Sequence, residues 1–220
     1  VSACDADIKS KLYRGCEFWA VDLDNAFVPA GGGQYIDADG KPFAVVLSNP
    51  SENVTADVTV RRREGLVHET AILPGDLEVV TLHHYANASD RTGTPLSDIQ
   101  GTMIGSEAFR IESTMPIIAY QFNPLDNETV YSNDASLLFP TSSLGQDYWV
   151  MTRRQTFDSL KGYVTVVAVL EGETDVTVTL PEHTPENPLV TLSGVNVDTS
   201  DPIPPLRGGQ SMSVTLQQYQ

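Results

Sequence analysis

The sequence predicts an all-β protein made of two similar antiparallel β-sandwich modules in tandem, the second incomplete. Three observations lead there. Helical periodicity is scarce, and short runs rich in Val, Ile, Thr and aromatic residues alternate with Gly, Pro, Asn and Asp, the strand-and-turn pattern. One pattern is also stated twice: Gly15-Cys16-Glu17-Phe18-Trp19-Ala20-Val21 is echoed by Gly145-Gln146-Asp147-Tyr148-Trp149-Val150. Behind each copy follow an apolar run (43–47; 163–170), an Asp-Val-Thr-Val tetrad (57–60; 175–178) and a Gly-bearing turn into Val-Thr-Leu (73–82; 206–216). Such internal repetition sets the expected architecture before any single element does.

Residues 1–16 read as an N-terminal arm, with a turn or two of helix over 3–13 stopped by Gly15. The first module is expected over 17–125. Residues 17–23 form a strand, and 24–40 a loop holding Gly31-Gly32-Gly33 and the turn Asp37-Ala38-Asp39-Gly40. The continuous apolar run 43–48 predicts a strand buried on both faces. In 54–62 the alternation puts Val58 and Val60 inside and Thr59 and Arg61 outside. Strands at 66–73 and 77–82 flank Pro74-Gly75-Asp76. The polar stretch 85–97 is too long for a hairpin turn and is the module's expected functional loop. Strands at 108–113 and 117–122, hinged at Met115-Pro116, complete it.

An acidic junction (126–140) leads to the second module (141–220), with strands expected at 148–152, 163–170, 176–180, 189–192 and 211–216. Trp19 and Trp149 hold equivalent repeat positions and are expected as paired core anchors. The first copy continues through 105–122, whereas the second has no counterpart to that stretch. Either the second module is shorter or the sequence stops before its last strands. The latter leaves an unpaired edge open to a strand-addition partner.

Composition narrows the partners. The chain has 29 Asp and Glu against 13 Lys and Arg, a formal net charge of -16. That field opposes nucleic acid and anionic membranes and favours cations or basic partners, although solubility alone is served by the same excess. No apolar stretch is long enough to make a membrane-spanning helix, and no signal peptide is present. Beginning at Val1, the chain reads as a processed piece of something longer. Its only cysteines, Cys4 and Cys16, read as a disulfide of an exported protein, worth roughly 3 kcal/mol, or as two unrelated thiols.

Three stretches carry a family resemblance: Gly15 to Asn25, Ala119-Tyr120-Gln121-Phe122-Asn123-Pro124-Leu125, and Tyr131-Ser132-Asn133-Asp134-Ala135-Ser136-Leu137-Leu138-Phe139-Pro140-Thr141. Together they resemble the IgGFc-binding protein N-terminal domain family, especially members in secreted or surface proteins of myxobacteria and related bacteria. The resemblance places a cysteine at the position of Cys4. It also implies further strands beyond the end of this chain. For function it implies an extracellular or cell-surface recognition or adhesion module, non-catalytic, binding a protein or carbohydrate ligand.

Candidate sites follow from the polar clusters. Asp126, Asn127 and Glu128, with Ser132, Asn133 and Asp134, gather oxygen-bearing side chains that suit calcium. Asp22 and Asp24 form a second such cluster. Asx turns and strand capping need the same residues without a metal. No cofactor is otherwise implied. Asp37-Ala38-Asp39-Gly40 resembles an EF-hand start but lacks the distal Glu, so it reads as a turn. His83, His84, Tyr85, Asn87, Asp90 and Arg91 mark the expected binding surface; neighbouring His83 and His84 point apart in an extended chain, and a zinc site would need His68 as well. Arg61-Arg62-Arg63 reads as a solvated edge guard. Asn53, Asn87 and Asn127 begin N-glycosylation sequons. No nucleophile elbow or phosphate loop is found. The alternatives to a recognition module are a structural spacer without a ligand and a hydrolase whose site further sequence would complete.

Overall fold

The computed structural model describes residues 4, 13–82, 101–127, 130, 133–152, 162–182, 192–206 and 208–220. Its elements are β-strands apart from a 3-10 turn at Thr141–Ser143, and Cys4 is itself helical. The chain is therefore all-β and its larger sheets are antiparallel. In order the strands are β1 (Gly15–Ala20), β2 (Phe27–Gly31), β3 (Gln34–Asp37), β4 (Ala44–Ser48), β5 (Ala56–Arg62), β6 (Gly65–Ile72) and β7 (Leu77–Thr81). There follow β8 (Met103–Ile104), β9 (Phe109–Phe122), β10 (Ala135–Leu137), β11 (Glu173–Thr179), β12 (Leu192–Asn196), β13 (Pro202–Leu206) and β14 (Ser211–Gln217).

The alternating sequence of β5 buries Val58 and Val60, as the pattern requires, and the run in β4 buries Ala44, Val45 and Leu47 completely. β4 lies between β7 and β9 in its sheet, but it is not buried on both faces along its length, since Val46 and Ser48 are only half-buried. The two strands expected at 108–113 and 117–122 are one 14-residue strand, β9. Its first half pairs with β1 on one edge and β5 on the other, and its second half with β4 and β10. Pro116, which cannot donate to a ladder, falls between the two paired halves. β9 thus passes from one sheet, β1-β9-β5-β6, into another, β10-β9-β4-β7. A strand that switches sheets at a bend is how the corner of a β-sandwich is turned. Between the sheets lies one core, with Phe18, Phe43, Leu47, Val60, Phe109, Ile111 and Ile117.

Asn49 is wholly buried at the end of β4. Its side-chain amide donates to the carbonyls of Val54 (2.8 Å) and Ile72 (2.9 Å), and its side-chain oxygen accepts from the Ser51 N–H (3.0 Å). Its backbone bonds to Gly75 and Asp76, so one residue ties the chain ends around β4, β5, β6 and β7. At the other end Gly15 passes so close to Pro140 that a Cβ would stand 2.3 Å from the proline's own. Only glycine fits there. Cys4 and Cys16 form a disulfide, which joins the arm to β1.

The C-terminal residues attach to the outside of this sandwich along a seam. β12 pairs in parallel with β8, while β13 (Pro-Ile-Pro-Pro-Leu) covers its other side; a strand so rich in proline suits a sheet edge. Trp19 meets Tyr219 edge-on at 4.9 Å, within a small cluster holding Val21, Ala108, Val167 and Val169. A polar network closes the seam. Asp198 accepts from Ser106 (2.7 Å), Arg63 (3.2 Å) and Gln220. Burial pushes its carboxyl upward, but these hydrogen bonds and the Arg63 charge outweigh it and hold the pKa below its ordinary value. The seam therefore gains stability from Asp198 above its ordinary pKa and loses it as pH falls through the depressed one.

Several expectations are corrected. Within the expected loop 24–40 stands a hairpin, β2-β3, because Gly31, Gly32 and Gly33 adopt positive φ of 89°, 62° and 79° and Phe27 stacks on Tyr35 at 4.7 Å. No strand forms at 148–152 or 163–170 among the described residues. Trp19 and Trp149 are not paired core anchors: Trp19 is 9% exposed and Trp149 102% exposed. Trp19 is covered because Tyr219, Val167 and Val169 pack against it, in a cluster with Ala108, whereas the Trp149 side chain is fully exposed. Nor is Arg61-Arg62-Arg63 a merely solvated guard. The three pair with Glu112, Glu107 and Asp198 respectively, and Arg62 also lies over the Phe109 ring at 4.8 Å.

Replacing Asn49 by Ala takes this partner from the buried Ile72 carbonyl and from the part-buried Val54 carbonyl and Ser51 N–H. Asn49→Ala is expected to destabilise the chain by roughly 3 kcal/mol, read from urea unfolding at unchanged m-value. A loss no greater than that of an exposed substitution would show that the tie is dispensable.

Candidate functional site

Where the segment leaving β1 meets the end of β9, three polar segments converge on a groove. Its lining is Leu23, Asp24 and Asn25 after β1, Gln121 and Asn123 at the end of β9, Asp134 and Ser136 at the start of β10, and Tyr163. The space holds about 170 Å³. Asn123 organises it. Its side-chain amide donates to the Leu23 carbonyl at 2.7 Å and reaches Asp22 Oδ1 at 3.5 Å. Its own backbone and side-chain oxygens each accept from Asn25 at 3.2 Å. Its N–H donates to the Asp134 carbonyl (3.0 Å), which extends the β9–β10 ladder by one bond. A cis bond to Pro124 then carries the chain away. Gln121 accepts from the Val21 N–H at 3.3 Å, so amide side chains fasten the β1 exit to β9 along this edge.

The groove is acidic. Asp24 is held above its ordinary carboxyl range, first by burial and then by the charge of Asp39, against the N–H groups of Asn25 and Gly101. The Tyr163 hydroxyl donates to the Asp24 carbonyl at 2.9 Å. Burial raises its pKa, and the charges of Asp24 and Asp22 raise it further. Carboxylate and carbonyl oxygens around a half-enclosed space accept hydrogen bonds from ammonium, guanidinium or sugar hydroxyl groups.

The structure redistributes the expected site residues. Asp22 and Asp24 from one cluster and Asp134 from the other meet around this one groove, Asp22 buried behind it. Asp126 and Asn127 do not line it, and Asn133 turns its amide to the Leu125 carbonyl at 3.4 Å. Glu128 lies outside the described residues. Among the described residues no group of three or more His, Cys, Asp or Glu is arranged to hold a metal ion. His83, His84, Tyr85, Asn87, Asp90 and Arg91 also lie outside the described residues. Of the sequons, Asn53 occupies an exposed turn, and the others involve residues not described.

Asn25 belongs to the second acidic cluster, Asp22-Leu23-Asp24-Asn25, whereas Gln121, Asn123, Ser136 and Tyr163 were not singled out from the sequence as site residues. A signal was there for three of these four: Gln121 and Asn123 lie in the second resemblance stretch, and Ser136 lies in the third. Tyr163 carried no such mark.

Comparison with known proteins adds one family. Residues 134–220 match the family model described as IgGFc binding protein. That span is less than half of the chain and includes Asp134, Ser136 and Tyr163 of the groove. No curated protein matches the chain. Among solved structures, the crystal structure of Thermotoga maritima 1070 is similar with a TM-score of 0.30 and 13% identity, covering 58% of this chain and 95% of that one. A similarity that slight assigns no fold.

Changing Asn123 to Asp puts an acceptor where a donor faces the Leu23 carbonyl and Asp22. Asn123→Asp is expected to destabilise by about 2 kcal/mol at neutral pH. Much of that should return as the pH falls and the new carboxyl takes up a proton. Thermal melts across pH check this; a loss independent of pH would mean that the donor is not what matters.

Proposed function

Starting from a C-terminal region that matches the IgGFc binding protein family, we propose that this chain is an extracellular, non-catalytic recognition module. It holds a protein or carbohydrate partner through basic or hydroxyl-bearing groups seated in the groove of Asp24, Asn123 and Asp134. The disulfide between Cys4 and Cys16 supports an oxidising compartment. The observation that carries the reading is the groove itself, where a carboxylate is kept partly buried beside other negative charge. A perturbed acid among convergent polar groups in a cleft supports a binding site on physical grounds.

The same feature sets the test. A carboxyl whose pKa is raised in the folded state destabilises that state when ionised, so stability falls as pH rises from the ordinary 3.8 through the raised value. Removing the charge relieves this. Asp24→Asn is expected to raise Tm at neutral pH by on the order of 2 °C, with the gain fading below the ordinary pKa. It should weaken binding to whatever glycan or mucin the unaltered chain captures on an array. Such opposed effects on stability and binding mark a residue kept for function. Undiminished capture by Asp24→Asn would exclude the groove as the binding site.

A further inference from the structure

The exposed stretch Tyr148-Trp149-Val150-Met151 stands apart from the groove. Trp149 is 102% and Met151 98% exposed, and Tyr148 and Val150 are exposed beside them. Among the described residues, no backbone hydrogen bond is made by 147–151. A Trp and a Met left bare in consecutive apolar residues form the sort of surface that marks an interaction site.

The chain itself contains the covered version of this sequence. In Glu17-Phe18-Trp19, the strand β9 lies alongside and sets Arg110 opposite Trp19. The Arg110 guanidinium sits 6.0 Å from the Trp19 ring centre and bonds Glu17 Oε1 at 3.2 Å. The Trp19 indole N–H donates to that same oxygen at 3.1 Å. One carboxylate, two residues before a tryptophan, thus holds the indole and the arginine at once. Asp147-Tyr148-Trp149 repeats the acid and the indole at the same spacing. Asp147 is exposed and has no ion pair among the described residues. Among the described residues no arginine-bearing strand lies beside it.

We propose that residues 145–151 are a docking strand for an extended segment of another protein that carries an arginine between apolar residues, in the manner of Phe109-Arg110-Ile111. The arginine would lie on the Trp149 face and bond Asp147, while backbone pairing adds the segment as a strand. Charge favours such a partner: Asp147 offers a carboxylate, and a net charge of -16 draws basic segments. The same charge opposes a second copy of this chain as the occupant. This surface is separate from the groove, and either can fail without the other.

The test titrates the chain into a fluorescein-labelled peptide copying residues 108–118 and follows anisotropy. Saturable binding is expected. Trp149→Ala, whose side chain touches nothing that folding needs, should weaken it roughly tenfold or more at unchanged Tm. Asp147→Asn, or Arg110→Gln in the peptide, should weaken it less and flatten its salt dependence. Absence of saturable binding, or equal binding by Trp149→Ala, overturns the proposal. Sedimentation that reveals a dimer abolished by Trp149→Ala overturns it too, in favour of a second copy.

Discussion

The backbone of β9 must find partners on both edges in two sheets at once, and the rest of the fold is arranged around that demand. Residues 109–113 are flanked by β1 and β5, and residues 118–122 by β4 and β10. An unpaired buried N–H or carbonyl is costly, so none of these strands can shift register without exposing the others. Pro116 sits where neither ladder needs a donor. The sandwich core follows directly, since Phe109 and Ile111 face it from one half of the strand and Ile117 and Ala119 from the other.

The polar seam is a second layer of organisation, and it depends on a scarce resource. In a chain with few cations, Arg61, Arg62, Arg63 and Arg110 are all engaged with carboxylates of the same chain. Arg62 and Arg63 tie the β5–β6 turn to Glu107 and Asp198, and Arg110 lies beneath the Trp19–Tyr219 contact. None of these four arginines lines the groove, where Asp24 stands with Asp134 and within the field of Asp39. The acidity of the groove is therefore partly a consequence of where the cations had to go.

How much of this was legible in the sequence depends on whether the information was local. The alternation in β5, the run in β4 and the punctuation around β6 and β7 speak for themselves, because burial on one or two faces writes directly into residue choice. The hairpin β2-β3 hid behind three glycines that looked like a loop, since a turn's handedness is not visible in composition. Trp149 was misjudged for a different reason. Similar residues suggest similar burial, but burial belongs to the groups that pack over a side chain, and Tyr219, Val167 and Val169, which cover Trp19, are not encoded in the motif. The groove was half visible: the acids stand in two separate places in the sequence, and only the bonds of Gln121 and Asn123 to the segment after β1, with β10 paired to the end of β9, bring them together. Asn123 gave no chemical hint at all, because an amide's importance lies in which carbonyls surround it.

The position of β9 also has a mechanical meaning. A strand bonded along both edges, in one sheet and then in the next, cannot be peeled away one hydrogen bond at a time. To extract it, four ladders must be sheared together, and the rate of forced unfolding is set by that single barrier. A tensile load reaching β1 through its disulfide is passed straight to this strand. The sandwich is thereby built to yield late and all at once, while the seam, held by the short β8–β12 ladder, the Asp198 network and the small cluster around Trp19 and Tyr219, gives way first and acts as the extensible part.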